Sequence, residues 1–147
     1  MKFRFPIVII DEDFRSENSS GLGIRAMAQA IESEGFEVVG VTSYGDLSQF
    51  AQQQSRASAF ILSIDDEEFT PGPELDPAVL NLRTFIEEVR RKNTEVPIYI
   101  YGETKTSRHL PNDILRELHG FIHMFEDTPE FVARHIIREA KSYLEGI

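Results

Sequence analysis

The feature that most constrains the fold of this chain is the regular alternation of five short apolar runs with segments of helical periodicity. The first run, Ile7–Ile10, is aliphatic at every position, as is typical of a central parallel strand buried on both faces. The other runs, rich in β-branched or aromatic residues, span residues 36–41, 59–64, 96–101 and 120–125. The sequence therefore predicts five strands.

Helical patterns occupy the segments between these strands. Residues 21–34 repeat apolar side chains at spacings of three and four, which predicts an amphipathic helix. Ser19 or Ser20 is expected to cap its start, and Gly35 is expected to end it. Further helices are predicted over residues 44–54, over residues 77–93 and, as one short helix, from Pro111.

The last helix is expected to begin after Thr128, a good capping residue, with Pro129 in its first position. Strands that alternate with helices favour a parallel sheet, because right-handed crossovers place the helices on both faces. We therefore predict one domain over residues 1–147, an α/β three-layer sandwich of flavodoxin-like or receiver-like type. Its five-stranded parallel sheet should have the strand order 2-1-3-4-5.

Composition and charge exclude several classes of protein. The net charge is −10, with 25 acidic residues against 15 Lys and Arg, which argues against binding to nucleic acid. The longest uninterrupted aliphatic run has four residues, so the sequence predicts no membrane span. The first residues do not resemble a secretory signal, and the chain has no cysteine for disulfides or thiolate metal sites. A cytoplasmic location is expected.

Acidic side chains follow the first and third predicted strands. Asp11, Glu12 and Asp13 come directly after Ile10, and Asp65 and Asp66 follow the third strand. Ligands of such sheets bind at the carboxyl ends of the strands, near the switch point between strands one and three. Asp11, Glu12 and Asp65 are therefore weak candidates for a Mg²⁺ site, although solvated acidic loops are the stronger interpretation.

Phosphotransfer chemistry is not predicted at this edge. The acids after strands one and three resemble those of response-regulator receivers. For phosphotransfer, a receiver needs an acceptor Asp after strand three, a Thr or Ser after strand four and a Lys after strand five. Ser63, or at best Asp65, stands at the acceptor position, and Gly102 ends strand four. Glu126 and Asp127 stand where the Lys would be, and they would repel a phosphoryl group.

Two other motifs are weak. Gly21-Leu22-Gly23 with Ala26 matches part of a dinucleotide fingerprint, but ten residues separate it from the first strand. A helix that starts with glycine is the simpler interpretation. His119 and His123 are four residues apart, but Gly120 and the run FIHMF predict a strand for this segment, where that spacing does not form a metal pair.

A more specific likeness lies in the last third of the chain. Residues 121–133, FIHMFEDTPEFVA, and 141–147, KSYLEGI, resemble the end of the N-terminal domain of the bacterial inducible ornithine/lysine/arginine decarboxylases. In that family an aromatic strand runs into an EDT-x-x-F helix start, and the helix ends in YL-x-x-I. Residues 96–103, VPIYIYGE, are similar to the family's fourth strand. The arginine-decarboxylase branch is favoured by the EDT and YLE residues.

The resemblance implies a parent enzyme with pyridoxal phosphate, of fold type I, whose cofactor residues all lie in later domains. The catalytic domain is expected beyond Ile147, so this chain alone is expected to have no catalytic or cofactor-binding residue. The family's first domain is receiver-like, lacks phosphotransfer chemistry and helps subunits to assemble. The expected partners are the chain's own pyridoxal-phosphate domains and neighbouring subunits.

The acidic clusters are candidates for an assembly surface. We expect them to repel one another at neutral pH and to associate more readily when protonated. The residues of this predicted surface are Asp11, Glu12, Asp13, Asp65, Asp66, Glu126 and Asp127. The alternative hypotheses are a degenerate receiver module for protein–protein signalling and a small nucleotide-binding protein.

Overall fold

A computed structural model of the chain describes residues 5–42, 57–63, 77–92, 95–102, 110–123 and 126–146. The strands in these residues are β1 (Ile7–Ile10), β2 (Val38–Val41), β3 (Ala59–Ser63), β4 (Ile98–Gly102) and β5 (Gly120–His123). The helices are α1 (Ser19–Glu32), α2 (Pro77–Lys92), α3 (Asn112–Leu115) and α4 (Pro129–Glu145). No helix among these residues is both long enough and apolar enough to span a bilayer. The helix predicted over residues 44–54 lies outside the described residues.

The five strands form one parallel sheet in the order β2-β1-β3-β4-β5, as predicted. β1 lies between β2 and β3, so that Ile7 pairs with both Val38 and Ala59. None of the β1 side chains is more than 2% exposed. The uninterrupted aliphatic run at Ile7–Ile10 follows from this position, because helices cover both faces of a central parallel strand.

Two apolar clusters lie on the two faces of the sheet. Because successive side chains of a strand point to opposite faces, Ile7 and Ile9 pack with α1 and α4, whereas Val8 and Ile10 pack on the side of α2 and α3. The helix predicted over residues 77–93 is present as α2, and its Leu82 and Ile86 are buried in the second cluster. The three-layer arrangement is therefore confirmed.

The start of α1 differs from the prediction. The cap is Asn18, whose side-chain Oδ1 accepts a hydrogen bond from the Gly21 N–H at 2.8 Å, and neither Ser19 nor Ser20 has this role. The helix ends at Glu32, and Gly35 follows with a φ of 101°, in the left-handed region that favours glycine.

The start of α4 agrees with the prediction. The Thr128 Oγ1 accepts a hydrogen bond from the Phe131 N–H at 3.4 Å, and Pro129 is the first helical residue. The structure describes β5 over Gly120–His123, and the last two residues of the predicted strand, 124–125, lie outside the described residues. The Glu126 and Asp127 N–H groups both donate to the His123 carbonyl oxygen.

Candidate functional site at the carboxyl end of the sheet

The loop between β1 and α1 determines where the first acidic cluster lies. Asp11 follows β1 directly, and its N–H donates to the Val41 carbonyl oxygen at 3.0 Å, which extends the pairing with β2. The residue is only 3% exposed, and its Oδ1 accepts a hydrogen bond from the Asp13 N–H at 2.8 Å. Glu12 is exposed and Asp13 is half-buried. The three consecutive acids are thus in three different environments.

Hydrogen bonds within the loop and from α1 fix its conformation. The Asp13 Oδ1 accepts from the Asn18 Nδ2 at 3.2 Å, so the residue that caps α1 also contacts the acidic cluster. From the second turn of α1, the Arg25 guanidinium donates from one nitrogen to the carbonyl oxygens of Phe14 and Ser16, each at 2.7 Å. The loop is therefore closed by its own contacts.

Two glycines allow the loop to pack this closely. A Cβ at Gly21 would lie 2.5 Å from the Asp13 carbonyl oxygen and would also collide with the Ser16 carbonyl oxygen. A Cβ at Gly40 on β2 would collide with the ring of Phe14, which packs against the cluster beneath α1 and α4. Close approach of the loop explains Gly21, which is the third residue of α1 and not its first.

Tyr101 near the end of β4 also contributes to this edge, and the sequence analysis did not single it out. It is 6% exposed, and its hydroxyl lies 3.3 Å from where a Cβ of Gly23 would be. Burial, together with the negative charge of Asp11, raises the pKa of Tyr101 to about 12. The sequence pattern that could have located Tyr101 is its spacing of two from Tyr99 on one strand, because side chains two apart point to the same face of a sheet. Both rings lie on the face of α1 and α4.

The second described acidic cluster closes the turn after β5. The Asp127 Oδ2 accepts a hydrogen bond from the His123 N–H at 2.8 Å. The Glu126 carboxylate lies 3.9 Å from the His123 Nδ1 and is 64% exposed. Asp127 therefore stabilises the entry into α4, whereas most of Glu126 faces solvent.

The structure places the predicted site residues in part. Asp11 and Asp13 are in contact, Glu12 is exposed, and Gly102 ends β4 as expected. Asp65 and Asp66 lie outside the described residues, so the Mg²⁺ site and the complete assembly surface stay predictions. Within the described ranges, no group of three or more His, Asp or Glu side chains is arranged to hold a metal ion.

A cavity of about 200 Å³ lies at the opposite, amino end of the sheet, beside the last turns of α4. Its polar walls come from Glu95, His119, Glu139, Ser142 and Tyr143. His119 precedes β5, and its N–H donates to the Ile98 carbonyl oxygen at 2.8 Å. Sequence patterns gave no signal for this cavity, because its walls come from three separate segments.

Tyr99 of β4 is buried beside His119, one of the residues that line the cavity. It is 1% exposed, and its ring meets the rings of His119 and His135 at centroid distances of 6.2 and 5.6 Å. Burial raises the pKa of Tyr99, and the charge of Glu139 adds to the shift. Burial lowers the pKa of His119, with a further contribution from the nearby Arg90 guanidinium.

The fold defines the class of domain to which this chain is similar. A response-regulator receiver domain from Clostridium thermocellum superposes with a TM-score of 0.64 at 13% identity, over 98% of this chain and 100% of the receiver. At that identity the likeness shows the receiver-like α/β fold alone, as predicted. Phosphotransfer is a separate question, which the residues at the sheet edge must answer.

The sequence profile of the family described as "Orn/Lys/Arg decarboxylase, N-terminal domain" matches residues 19–143. The chain belongs to this family. A curated relative, lysine decarboxylase LdcA of Pseudomonas aeruginosa, is 24% identical over an alignment of 147 positions that covers 98% of this chain and 19% of LdcA. The chain thus spans about a fifth of the length of that relative.

Solved decarboxylase structures agree with this assignment of family. Lysine decarboxylase A from Pseudomonas aeruginosa gives a TM-score of 0.82 at 24% identity, over 99% of this chain and 19% of that one. The lysine decarboxylase LdcF from Francisella novicida gives 0.67 at 13% identity, over 97% and 18% of the two chains. Both are lysine decarboxylases, so the expected arginine branch is not confirmed.

Proposed function

We propose that this chain is the non-catalytic N-terminal domain of a larger, pyridoxal-phosphate-dependent basic amino-acid decarboxylase. Its work is contact with its own catalytic domains and with neighbouring subunits of a homo-oligomer. The observation that carries this proposal is the family match over residues 19–143, in a chain that spans only 19% of its curated relative. On this proposal residues 1–147 form one domain, the enzyme is cytoplasmic, and the basic substrate is lysine, arginine or ornithine.

The described residues offer no fit for pyridoxal phosphate. The cofactor of such enzymes is held by a lysine that forms a Schiff base, activated in a pocket. In the part of the chain that the structure describes, the lysines are Lys92 and Lys141, both exposed on helices. This supports placing the cofactor and the reaction in another domain of the parent protein.

The carboxyl edge of the sheet also supports a contact role over phosphotransfer. Gly102 ends β4, without the hydroxyl that a receiver uses, and acidic residues follow β5. The loop after β1 is filled by Phe14 and closed by the hydrogen bonds of Arg25. A rigid, acidic edge suits contact with a neighbour better than it suits a site that must admit a phosphodonor.

Fewer residues carry the exposed charge of the proposed assembly surface than the seven acids named for it from the sequence. Asp11 is buried and Asp127 bonds to the turn after β5, so Glu12 and Glu126 present most of the described charge. Carboxylates titrate near pH ~4, and crowding with like charges raises that value. Acidification should therefore relieve repulsion between such surfaces and favour assembly.

Sedimentation of the full-length protein between about pH 5 and 8 tests the assembly role. We expect larger assemblies at the acidic end, and the variant Glu12→Gln/Glu126→Gln should assemble at a higher pH than the natural protein. The matched control is Glu87→Gln/Glu88→Gln, which removes the same charge from exposed positions on α2. An unchanged assembly state across this range, or equal effects of both variants, would remove the basis for an acidic assembly surface.

Two further measurements separate the parent enzyme from a signalling module. The reading frame should continue beyond codon 147 into a domain with a cofactor lysine, and the full-length protein should decarboxylate a basic amino acid. Incubation of the chain with Mg²⁺ and acetyl phosphate should leave its mass unchanged. A stable acyl phosphate on Asp11, Asp65 or Asp66 would instead favour the signalling alternative, because the domain would then accept a phosphoryl group as a receiver does.

A further inference from the structure

The solvent side of α4 carries the most exposed large apolar side chain in the part of the chain that the structure describes. Phe131 lies in the first turn of the helix and is 69% exposed. The buried side of α4 is formed by Val132, Ala133, Ile136, Ile137 and Ala140. Helical periodicity places Phe131 opposite to these residues, so its ring takes no part in the core. Aromatic residues in such positions are typical of protein interfaces, where a partner covers them.

A second exposed apolar residue lies at the same end of this helical layer. Leu22 is 54% exposed and is the fourth residue of α1, which packs with α4 on one face of the sheet. α1 follows β1 and α4 follows β5, so both helices begin at the carboxyl end of the sheet. A lone exposed apolar residue needs no explanation, but Phe131 shares the outer surface of this layer with Leu22. This part of the surface has apolar area to bury against a partner.

The charges around Phe131 change sign along α4. Glu130 precedes Phe131, and Arg134 and Arg138 follow it at spacings of three and seven, which place them on the same side of the helix. All three charged residues are exposed, the side chain of Arg138 by 73%. Among the residues that the structure describes, Glu130 and Arg134 form no ion pair. The outer face of α4, defined by these four residues, thus has an acid on one side of an aromatic ring and bases on the other.

This outer face is complementary to a second copy of itself. In an isologous interface the same patch meets itself across a two-fold axis, so an acid and a base on one helix can pair twice. An axis that crosses two antiparallel copies of α4 near residue 132 places Glu130 of each copy opposite Arg134 of the other. The two Phe131 rings then lie about 3 Å apart along the helix direction, because each residue of a helix rises by about 1.5 Å.

We propose that the outer face of α4 pairs with the same face of a second copy of this chain, about a two-fold axis beside Phe131. The contact rests on the proposed association of neighbouring subunits and names one surface for it. Each copy has a net charge of −10, so two copies repel over much of their surface, and Arg134 and Arg138 lessen that repulsion at this face. A purely acidic partner would place like charge against Glu130, and a purely basic one against both arginines.

Sedimentation of single charge-reversal variants of the chain tests the two-fold pairing. We expect the natural chain to dimerise with a Kd below about 1 mM. Glu130→Arg and Arg134→Glu should each weaken the dimer about tenfold or more, because each reversal places like charges opposite one another twice. An equimolar mixture of the two variants should dimerise again, since every Glu at these positions then faces an Arg. Pairs within one helix cannot cause this rescue, because the two reversals are on separate chains.

Truncation of the aromatic ring tests the apolar part of the contact. Phe131→Ala should weaken dimerisation about tenfold or more, as is typical of an aromatic residue near the centre of an interface. The matched control is Leu80→Ala, which shortens a side chain that is 51% exposed on α2, at the other face of the sheet. It should leave the dimer unchanged. Circular dichroism of each variant confirms that it is folded, as expected for changes at exposed positions.

Three outcomes overturn the contact. These are a natural chain that is monomeric up to about 1 mM, a mixture of the two reversal variants that does not dimerise, and equal effects of Phe131→Ala and Leu80→Ala. If the chain is monomeric but the same variants impair assembly of the full-length protein, the face contacts another domain and not a second copy.

The full-length protein separates this inference from the proposed function. A full-length protein that decarboxylates a basic amino acid, and whose assembly is the same in all these variants, contradicts the α4 contact and leaves the proposed function intact. A full-length protein without decarboxylase activity contradicts the proposed function, whatever the chain does in sedimentation.

Discussion

The two ends of the sheet differ in how their polar groups are satisfied. At the carboxyl end, the loop after β1 is closed by contacts from Asp11, Asn18 and Arg25, and the ring of Phe14 fills the space beside β2. At the amino end lies a cavity of about 200 Å³. The ring of Tyr99 neighbours that of His119 in the cavity wall, and the buried Tyr99 hydroxyl has no hydrogen-bond partner among the described residues.

This difference is the reverse of what is usual for such folds. Ligands of parallel α/β sheets bind at the carboxyl ends of the strands. Here the loop after β1 packs the described part of that end, and the open, polar concavity lies at the other end. The comparison teaches that a receiver-like topology does not by itself leave a concavity where ligands of such sheets usually bind.

The largest expected effect tests whether the carboxyl end is closed as tightly as described. Gly21→Ala places a methyl group against the carbonyl oxygens of Asp13 and Ser16, which belong to the backbone and cannot rotate away. We expect the free energy of unfolding in urea to fall by about 3 kcal/mol, at the upper end of overpacking costs.

Gly23→Ala is the matched control two residues further along α1. Its new methyl group would meet the Tyr101 hydroxyl at 3.3 Å, the far end of a side chain, and alanine gains about 1 kcal/mol of helix propensity over glycine. We therefore expect little net change. Equal losses in the two variants would mean that the loop does not approach Gly21 closely.

The second largest expected effect tests which hydrogen bonds hold the segments at the amino end of the sheet in place. Arg90 joins α2 to the residues that precede β4 and β5, through the Val96 carbonyl oxygen and two oxygens of Glu117. Arg90→Met removes these hydrogen bonds to a charged donor, and we expect a loss of about 2 kcal/mol in the free energy of unfolding.

Arg83→Met, on the same helix, is the control for this variant. Arg83 pairs with the Asp113 carboxylate at 2.7 Å, and its side chain is 23% exposed against 13% for Arg90. Exposed pairs contribute about 0–1 kcal/mol, so this variant should lose less than Arg90→Met. The idea of Arg90 as a structural link fails if both variants unfold at the same urea concentration.

A third and smaller effect has the opposite sign. Tyr99→Phe removes the buried hydroxyl without a described partner, and relief of its desolvation should raise the free energy of unfolding by about 1 kcal/mol. Tyr143→Phe, at the half-buried wall of the cavity, should give no such gain. A loss of stability in Tyr99→Phe would show that the hydroxyl is satisfied, and the contrast between the two ends would disappear.

The smallest effect is a pH dependence at the amino end. Burial and Arg90 lower the pKa of His119, His135 adds to this, and Glu139 opposes it. The unfolded chain takes up this proton near pH ~6.5, before the folded chain does. Stability should therefore fall as the pH drops through this range and should level off below the folded pKa.

His119→Gln should flatten this part of the curve of urea-unfolding midpoint against pH. The effect is the smallest of the four because His119 keeps a substantial part of its surface in solvent. A slope that stays the same in His119→Gln would assign the pH dependence to other groups. His135, Glu95 and Glu139 are the titratable groups that face His119 or share its cavity.

Much of the fold could be predicted because its signals are local. The aliphatic run Ile7–Ile10 predicted the central strand, and Thr128 with Pro129 predicted the start of α4. The cap of α1 was predicted wrongly, because Asn18, Ser19 and Ser20 are all good caps and nothing in their order distinguishes them. The packing of the loop against α1 selects Asn18, which also contacts Asp13.

The candidate sites were predicted less completely, because exposure does not follow from residue type. Asp11 and Glu12 are adjacent acids, yet Asp11 is 3% exposed and Glu12 lies in solvent. The cavity at the amino end gave no signal, since Glu95, His119 and Glu139 are far apart in the sequence.

The sequence by itself determined the parallel sheet, its strand order and the family, because hydrophobic period and short motifs are properties of neighbouring residues. Only the tertiary structure decided which polar groups are buried and which are open to a ligand. Burial depends on what packs over a side chain, and at both ends of this sheet that covering comes from distant segments. Arg25 fixes the loop at one end, and α4 forms a cavity wall at the other.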